Sequence, residues 1–136
     1  MTLPFLDTNI FLRHLREDHP TLSAKARAIF ERIEGGELKV RTSDTVIFET
    51  VFTLQRSYNQ PRDRIADALV PLIELPGIIL PGKRLYRRAF ALYRSSGLIG
   101  FADCYHIALM ERLRITEILS FDTDFDRIAG IKRREA

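Results

Sequence analysis

Short strand-like runs separated by helix-length segments constrain this chain more than any other feature. The runs are "LPFL" at Leu3 to Leu6, "ELKVRTS", "GIIL" between Pro76-Gly77 and Pro81-Gly82, "TEILSF", and "GIKR" as a candidate last strand. A strand followed by a helix cannot reach its neighbour through a tight hairpin. Crossover connections follow, and with them a mainly parallel sheet covered by helices on both faces. Ligands of such sheets sit beyond the carboxyl ends of the strands, and Asp7 and Asp122 fall at two of those ends.

The intervening segments carry helix punctuation. Helices are expected from Thr8 to Glu17 and from Thr21 to Ile33, the second closed by Gly35-Gly36. Ser43 or Asp44 can cap "TVIFETVFTLQRSY", and Pro61 suits the first turn of "PRDRIADALVPLIEL". "RLYRRAFALYRSS" ends before Gly97, "FADCYHIALMERL" is helical, and "DTDFDRI" turns into a short helix. With 136 residues, no internal repeat and no low-complexity linker, the chain suits a single domain over 1–136.

Composition narrows the class. No apolar run approaches the roughly 18–20 residues of a membrane span, so no membrane role is expected. "MTLPFLDTN" has no basic region followed by an apolar stretch and a cleavage site. A lone Cys104 excludes an internal disulfide framework, and a cytoplasmic home is the simplest expectation. The net charge of +3, with arginines gathered in "KRLYRRAFALYR" and "IKRREA", permits a phosphate-rich or acidic partner.

Most of the 18 acidic residues sit in solvent-facing patterns, but four do not. Asp7 follows "LPFL" and Asp122 follows "TEILSF"; Glu49 interrupts the apolar window "VIFETVF", and Asp103 interrupts "LIGFADCYHIALM", a helix apolar on nearly every side and therefore expected to be buried. Burying an unpaired carboxylate costs several kcal/mol or forces it to take up a proton. Each has a bland explanation: Asp7 as a helix cap, Asp103 as a first-turn anion on the helix dipole, Asp122 in an Asx turn. For Glu49 the bland alternative is a buried ion pair with Arg56 or Arg94. If the parallel sheet brings the four together, their repulsion requires a cation. An all-oxygen set without a Cys or His cluster selects Mg²⁺ or Mn²⁺ over zinc, which suggests metal-assisted attack of water on a phosphodiester.

The order "LDTN", a glutamate inside an apolar helix, "FADCYHIALM" and "ILSFDTDFDRI" resembles the PIN-domain ribonucleases, particularly VapC-type toxins of toxin–antitoxin pairs, from Leu6 to Ile131. The resemblance implies a PIN-like three-layer α/β/α sandwich with a mainly parallel central sheet of four to five strands. It implies that Asp7, Glu49, Asp103 and Asp122 hold Mg²⁺ or Mn²⁺, with Asp124 as an auxiliary acid and Thr8, Asn9 and Ser120 as small polar supports. It further implies RNA as substrate, a homodimer, and a cognate VapB-like antitoxin whose C-terminal segment occupies the active-site groove. Apolar helix surface in "TVIFETVFTLQ" and "PLIEL" points to the same homodimer.

The remaining chemistry-bearing residues receive weaker readings. His106 lies one turn after Asp103, but a lone helical histidine is more often packed or exposed than catalytic. His14 and His19 sit among charges and are expected at the surface; Cys104 is expected in the core. Arg84, Arg87, Arg88 and Arg94 could grip phosphates with Tyr86 or Tyr93 stacking a base, against the alternative of a solvated helix face. Phe48, Phe52, Phe90 and Phe101 fall at core spacings. Two other functions compete. A catalytically silent PIN-like RNA- or protein-binding module would have lost one of the acids, and all are present. A phosphotransferase using Asp7 as nucleophile would have a "DxD" pair, where this chain has Asn9, and a lysine from among Lys25, Lys39, Lys83 and Lys132.

Overall fold

The computed structural model describes residues 2–136 and resolves into two compact units, the first ending at Arg84 and the second beginning at Leu85. In the first unit the helices are α1 (Thr8–Arg16), α2 (Pro20–Glu34), α3 (Asp44–Arg56) and α4 (Arg62–Ile73), with strands β1 (Val40–Arg41) and β2 (Ile78–Ile79). The second holds α5 (Leu85–Ser96), α6 (Phe101–Leu113), β3 (Glu117–Leu119), a 3₁₀ turn (Thr123–Arg127) and β4 (Lys132–Arg134). The expected alternation is present, and both strand pairs are parallel, β1 with β2 and β3 with β4.

The strands are shorter than the apolar runs that encode them. The run at Leu3 to Leu6 contributes one parallel bridge, Phe5 to Arg41. That segment is nonetheless fixed, because the Leu6 amide donates to the Arg41 carbonyl at 2.7 Å and the buried Thr42 hydroxyl donates to the Leu6 carbonyl at 3.0 Å. The backbone therefore arrives at Asp7 with its last buried polar groups paired.

Helix ends follow their local chemistry. The Ser43 hydroxyl accepts from the Val46 amide and starts α3. His19, expected as a mere surface residue, caps α2 by accepting from the Leu22 amide through Nδ1 at 3.1 Å. His14 also departs from the surface expectation. It is half-buried with its ring 4.6 Å from that of Phe30, and burial lowers its pKa first of all. Charged neighbours in sequence hid a position on the inner side of α1.

The core of the first unit is built from Phe11, Phe30, Ile33, Ile47, Val51, Ile65, Leu69 and Ile73, each at most 3% exposed. In the second unit, Tyr86, Phe90, Tyr93 and Phe101 form an aromatic cluster, with Phe90 and Phe101 ring centroids 4.5 Å apart. Tyr86 and Tyr93 are 1% and 0% exposed, so neither can stack a base as the sequence had suggested. Arg88, one of the arginines weighed between a phosphate grip and a solvated helix face, is held by both carboxylate oxygens of Glu111. Phe90, Phe101 and Cys104 are buried as expected, whereas Phe52 is 61% exposed.

Candidate active site

In the first unit, Asp7 occupies the N-cap position of α1 with extended backbone, but its side chain makes no capping hydrogen bond. The bland account of Asp7 as a helix cap therefore fails. The carboxylate is exposed, while Thr8 beside it is buried and its hydroxyl has no partner among the described residues. A buried hydroxyl without a partner costs of the order of 1–3 kcal/mol. Asn9 is exposed next to them.

Glu49 corrects a second expectation. Val46, Ile47, Thr50, Val51 and Leu54 form the buried side of α3, and this places Glu49 on the outer side, exposed and without an ion pair among the described residues. Being exposed, Glu49 is not the buried member of an ion pair that its apolar window suggested as the bland alternative. Phe52 shares that outer side, forgoing the roughly 1.5–3 kcal/mol that full burial of such a ring supplies. Arg56 lies over it, with the guanidinium carbon 5.4 Å from the ring centroid.

In the second unit, Asp103 stands in the first turn of α6, where the helix dipole favours an anion. It is half-buried rather than buried, with 35% of its side chain exposed. Burial raises its pKa most. His106, whose Nδ1 is 3.8 Å from an Asp103 oxygen, opposes that, and the negative charges of Asp122 and Asp124 raise it further. Three carboxylates thus lie within electrostatic reach of one another.

Asp122 does carry out the turn chemistry expected of it. Its Oδ1 accepts from the Asp124 amide at 2.9 Å, and its own amide donates to the Ser120 hydroxyl at 3.0 Å. The sequence reading missed Arg133, which locks this loop from β4. Its Nε and Nη2 donate to the two Asp126 oxygens, and Nη1 donates to the Ser120 carbonyl at 3.1 Å. An arginine in a basic tail gives no sequence signal of that role.

The donors suit a hard divalent ion in kind, being carboxylate and hydroxyl oxygens, and the repulsion around Asp103 is what a cation would relieve. Among the described residues, no three His, Cys, Asp or Glu side chains gather as a group able to hold a metal ion. Asp7 and Glu49 belong to the first unit; Asp103, Asp122 and Asp124 belong to the second.

Helices alternating with parallel strand pairs in each unit, with Asp7 at the start of α1 in the first and Asp103, Asp122 and Asp124 within electrostatic reach in the second, define an α/β protein with acids at its helix starts and loops. The PIN domain family model matches residues 5–131, and this chain belongs to that family. Among curated proteins it is similar to the VapC ribonuclease Mb1869c of Mycobacterium bovis and to ribonuclease VapC13 of Mycobacterium tuberculosis. Each is 28% identical over 134 residues, spanning 94% of this chain and 96% of the relative.

Proposed function

We propose that this chain is a metal-dependent endoribonuclease that hydrolyses RNA phosphodiester bonds and acts as the toxin of a VapBC-type pair. The observation that carries the reading is the company of Asp103, whose carboxyl is pushed up by burial and by Asp122 and Asp124, in a chain with PIN family membership. The names of its two relatives support RNA as the substrate.

In this reading the whole chain works as one domain, and Asp7, Glu49, Asp103 and Asp122 supply the carboxylates that hold Mg²⁺ or Mn²⁺, with Asp124 auxiliary. Bound there, the ion supplies positive charge against the phosphodiester and eases ionisation of the attacking water. The protein's own contribution is placement. Ser120 and Arg133 fix the loop that carries Asp122 and Asp124, the Thr42–Leu6 hydrogen bond fixes the approach to Asp7, and the Thr8 hydroxyl is available to orient a carboxylate or a water. Lys83, one of the lysines the phosphotransferase alternative could draw on, donates to the Leu75 and Ile78 carbonyls at 2.6 and 2.7 Å and serves the fold.

A cytoplasmic homodimer bound by a VapB-like antitoxin completes the proposal. Among the described residues no helix is long and apolar enough to cross a membrane. The test is cleavage of end-labelled single-stranded RNA by the purified protein in Mg²⁺, Mn²⁺ and EDTA. Cleavage should require the ion and fall by orders of magnitude in Asp103→Asn. Equal cleavage in EDTA, or by the variant, would remove the carboxylate site from the chemistry.

A further inference from the structure

The ends of three helices of the first unit meet at a small cavity. Arg16 closes α1, Leu54 stands near the end of α3, and Arg64, Ile65 and Ala68 come from the first two turns of α4; Gln60 joins the lining from the loop between α3 and α4. That loop is held by its own backbone, with Asn59 in the left-handed conformation at φ 51° and the Gln60 amide donating to the Leu54 carbonyl at 3.0 Å. The cavity holds about 40 Å³, space for a few water-sized oxygens.

Its charged lining is of one sign, and the Gln60 side-chain amide can add donors to those of the two arginines. The Arg16 Nε is buried and has no hydrogen-bond partner among the described residues. Its guanidinium carbon lies 4.4 Å from the Tyr58 ring centroid, a contact that engages the face of the group and not its hydrogen-bonding edge. Neither Arg16 nor Arg64 makes an ion pair among the described residues. The acids that follow Arg16 are taken elsewhere, Glu17 by Arg27 and Asp18 by Arg13, and Asp63 accepts from the Arg64 amide. The last turn of α1 favours a cation, but that role needs no buried, unpaired donor. Such a donor costs free energy that an acceptor entering the cavity would restore.

We propose that Arg16, Gln60 and Arg64 form a binding site for a phosphate group. Two guanidinium forks and an amide can meet several oxygens of one anion at once, and phosphate oxygens match the fork's spacing. Asp7 precedes the first residue of α1 and Arg16 is the last of its nine, so the two lie roughly 13 Å apart along the helix axis. A phosphate held at Arg16 is therefore not one that Asp7 also touches. Resting on the ribonuclease reading, its source is a phosphate of the RNA away from the cleaved bond, and the site anchors the strand without entering the chemistry.

The experiment has two arms, both in EDTA so that nothing is cut. Thermal melts with rising inorganic phosphate at constant ionic strength should show an increase in wild-type Tm and much less in Arg16→Gln or Arg64→Gln, whereas Arg32→Gln, which removes the same charge from α2, should respond as wild type does. Fluorescence anisotropy of a labelled single-stranded RNA across a salt series reads the other source. Combining Arg16→Gln with Arg64→Gln should flatten the slope of log affinity against log salt by roughly 0.7, the loss of one phosphate contact on a single strand. The two arginines grip the same phosphate, so their single effects on affinity should exceed the double when summed. Arg16→Lys keeps the charge without the fork and should recover only part of the affinity.

An equal phosphate response in wild type and Arg16→Gln, with RNA affinity in that variant no lower than in Arg32→Gln, overturns the site. So does a flattening of about 1.4 with additive single effects, the mark of two independent surface charges. A phosphate response lost in the variants while RNA binding is unchanged supports the site and assigns it to a free phosphate or phosphate ester. A wild type that keeps the phosphate response but cuts no RNA in Mg²⁺ or Mn²⁺ overturns the ribonuclease reading and leaves the site standing. Should Arg16→Gln fail to fold, Arg64→Gln and Arg16→Lys carry both arms.

Discussion

Replacing Asp103 by asparagine keeps the side chain's shape and removes one of three mutually repelling charges. In the folded chain burial raises the Asp103 pKa, His106 opposes the rise, and Asp122 and Asp124 add to it. A carboxyl with a raised folded pKa binds more protons folded than unfolded. Its contribution is intact below the ordinary value of 3.8 and is lost as pH climbs through the folded pKa. Above that window the metal-free wild type carries a repulsion that Asp103→Asn lacks, so the variant should be equally or more stable near neutral pH, with the gap closing in acid. A divalent ion that binds only the native state stabilises it by about 2.7 kcal/mol at a hundredfold excess over its dissociation constant. For 136 residues the melting entropy is about 0.29 kcal/mol/K. The expected rise in wild-type Tm is therefore about 9 °C, and the rise in Asp103→Asn should be much smaller. Thermal melts of both proteins in EDTA, Mg²⁺ and Mn²⁺ across a pH series provide the measurement. An equal metal response in the two proteins refutes the reasoning, as does an Asp103→Asn protein that is less stable than wild type without metal near neutral pH.

Two further expectations concern the groups that position the acids. Thr42→Val preserves shape but strips the Leu6 carbonyl of a buried donor, which should cost about 1–2 kcal/mol and lower Tm by roughly 3–7 °C; a melt within 1 °C of wild type, to take about the smallest resolvable change, would show that the hydrogen bond is dispensable. Arg133→Ala should reduce kcat by roughly 10- to 100-fold by freeing the loop that carries Asp122 and Asp124, and Arg133→Lys should recover little of it, because one ammonium cannot span both Asp126 oxygens and the Ser120 carbonyl; full rescue by lysine would mean that charge alone matters there.

The helices were legible because their signals are local. Phe101–Leu113 has the bounds that its sequence suggests, and Ser43 caps α3 as expected. The strands were legible in order and direction but not in length, because the hydrophobic run "TEILSF" reports burial tendency while hydrogen-bonded pairing extends only over Glu117–Leu119. Glu49 and Phe52 were misplaced for one reason. "VIFETVF" is apolar by composition, yet burial on a helix is decided by angular position, and Val46, Ile47, Thr50, Val51 and Leu54 already complete the inner side. Phasing the window against those residues would have placed both outside. Arg133 and Thr42 act through contacts 13 and 36 residues away in sequence, so no local pattern could announce them.

The acids divide according to what the fold asks of them. Asp122 has structural work in the turn it closes, accepting the Asp124 amide at 2.9 Å. Asp103 gains from the dipole of α6 but is opposed by burial and by two like charges. Asp7 and Glu49 have no such work among the described residues: the first sits at a cap position without capping, and the second stands mid-helix without an ion pair. The approach to Asp7 is secured by the Leu6 amide and carbonyl, both paired to Arg41 and Thr42, and would be secured equally well ahead of an alanine. Helix α3 likewise gains nothing from Glu49 that glutamine would not supply. On the proposed function, these two carboxylates, which the fold holds in place and does not use, are there for the metal.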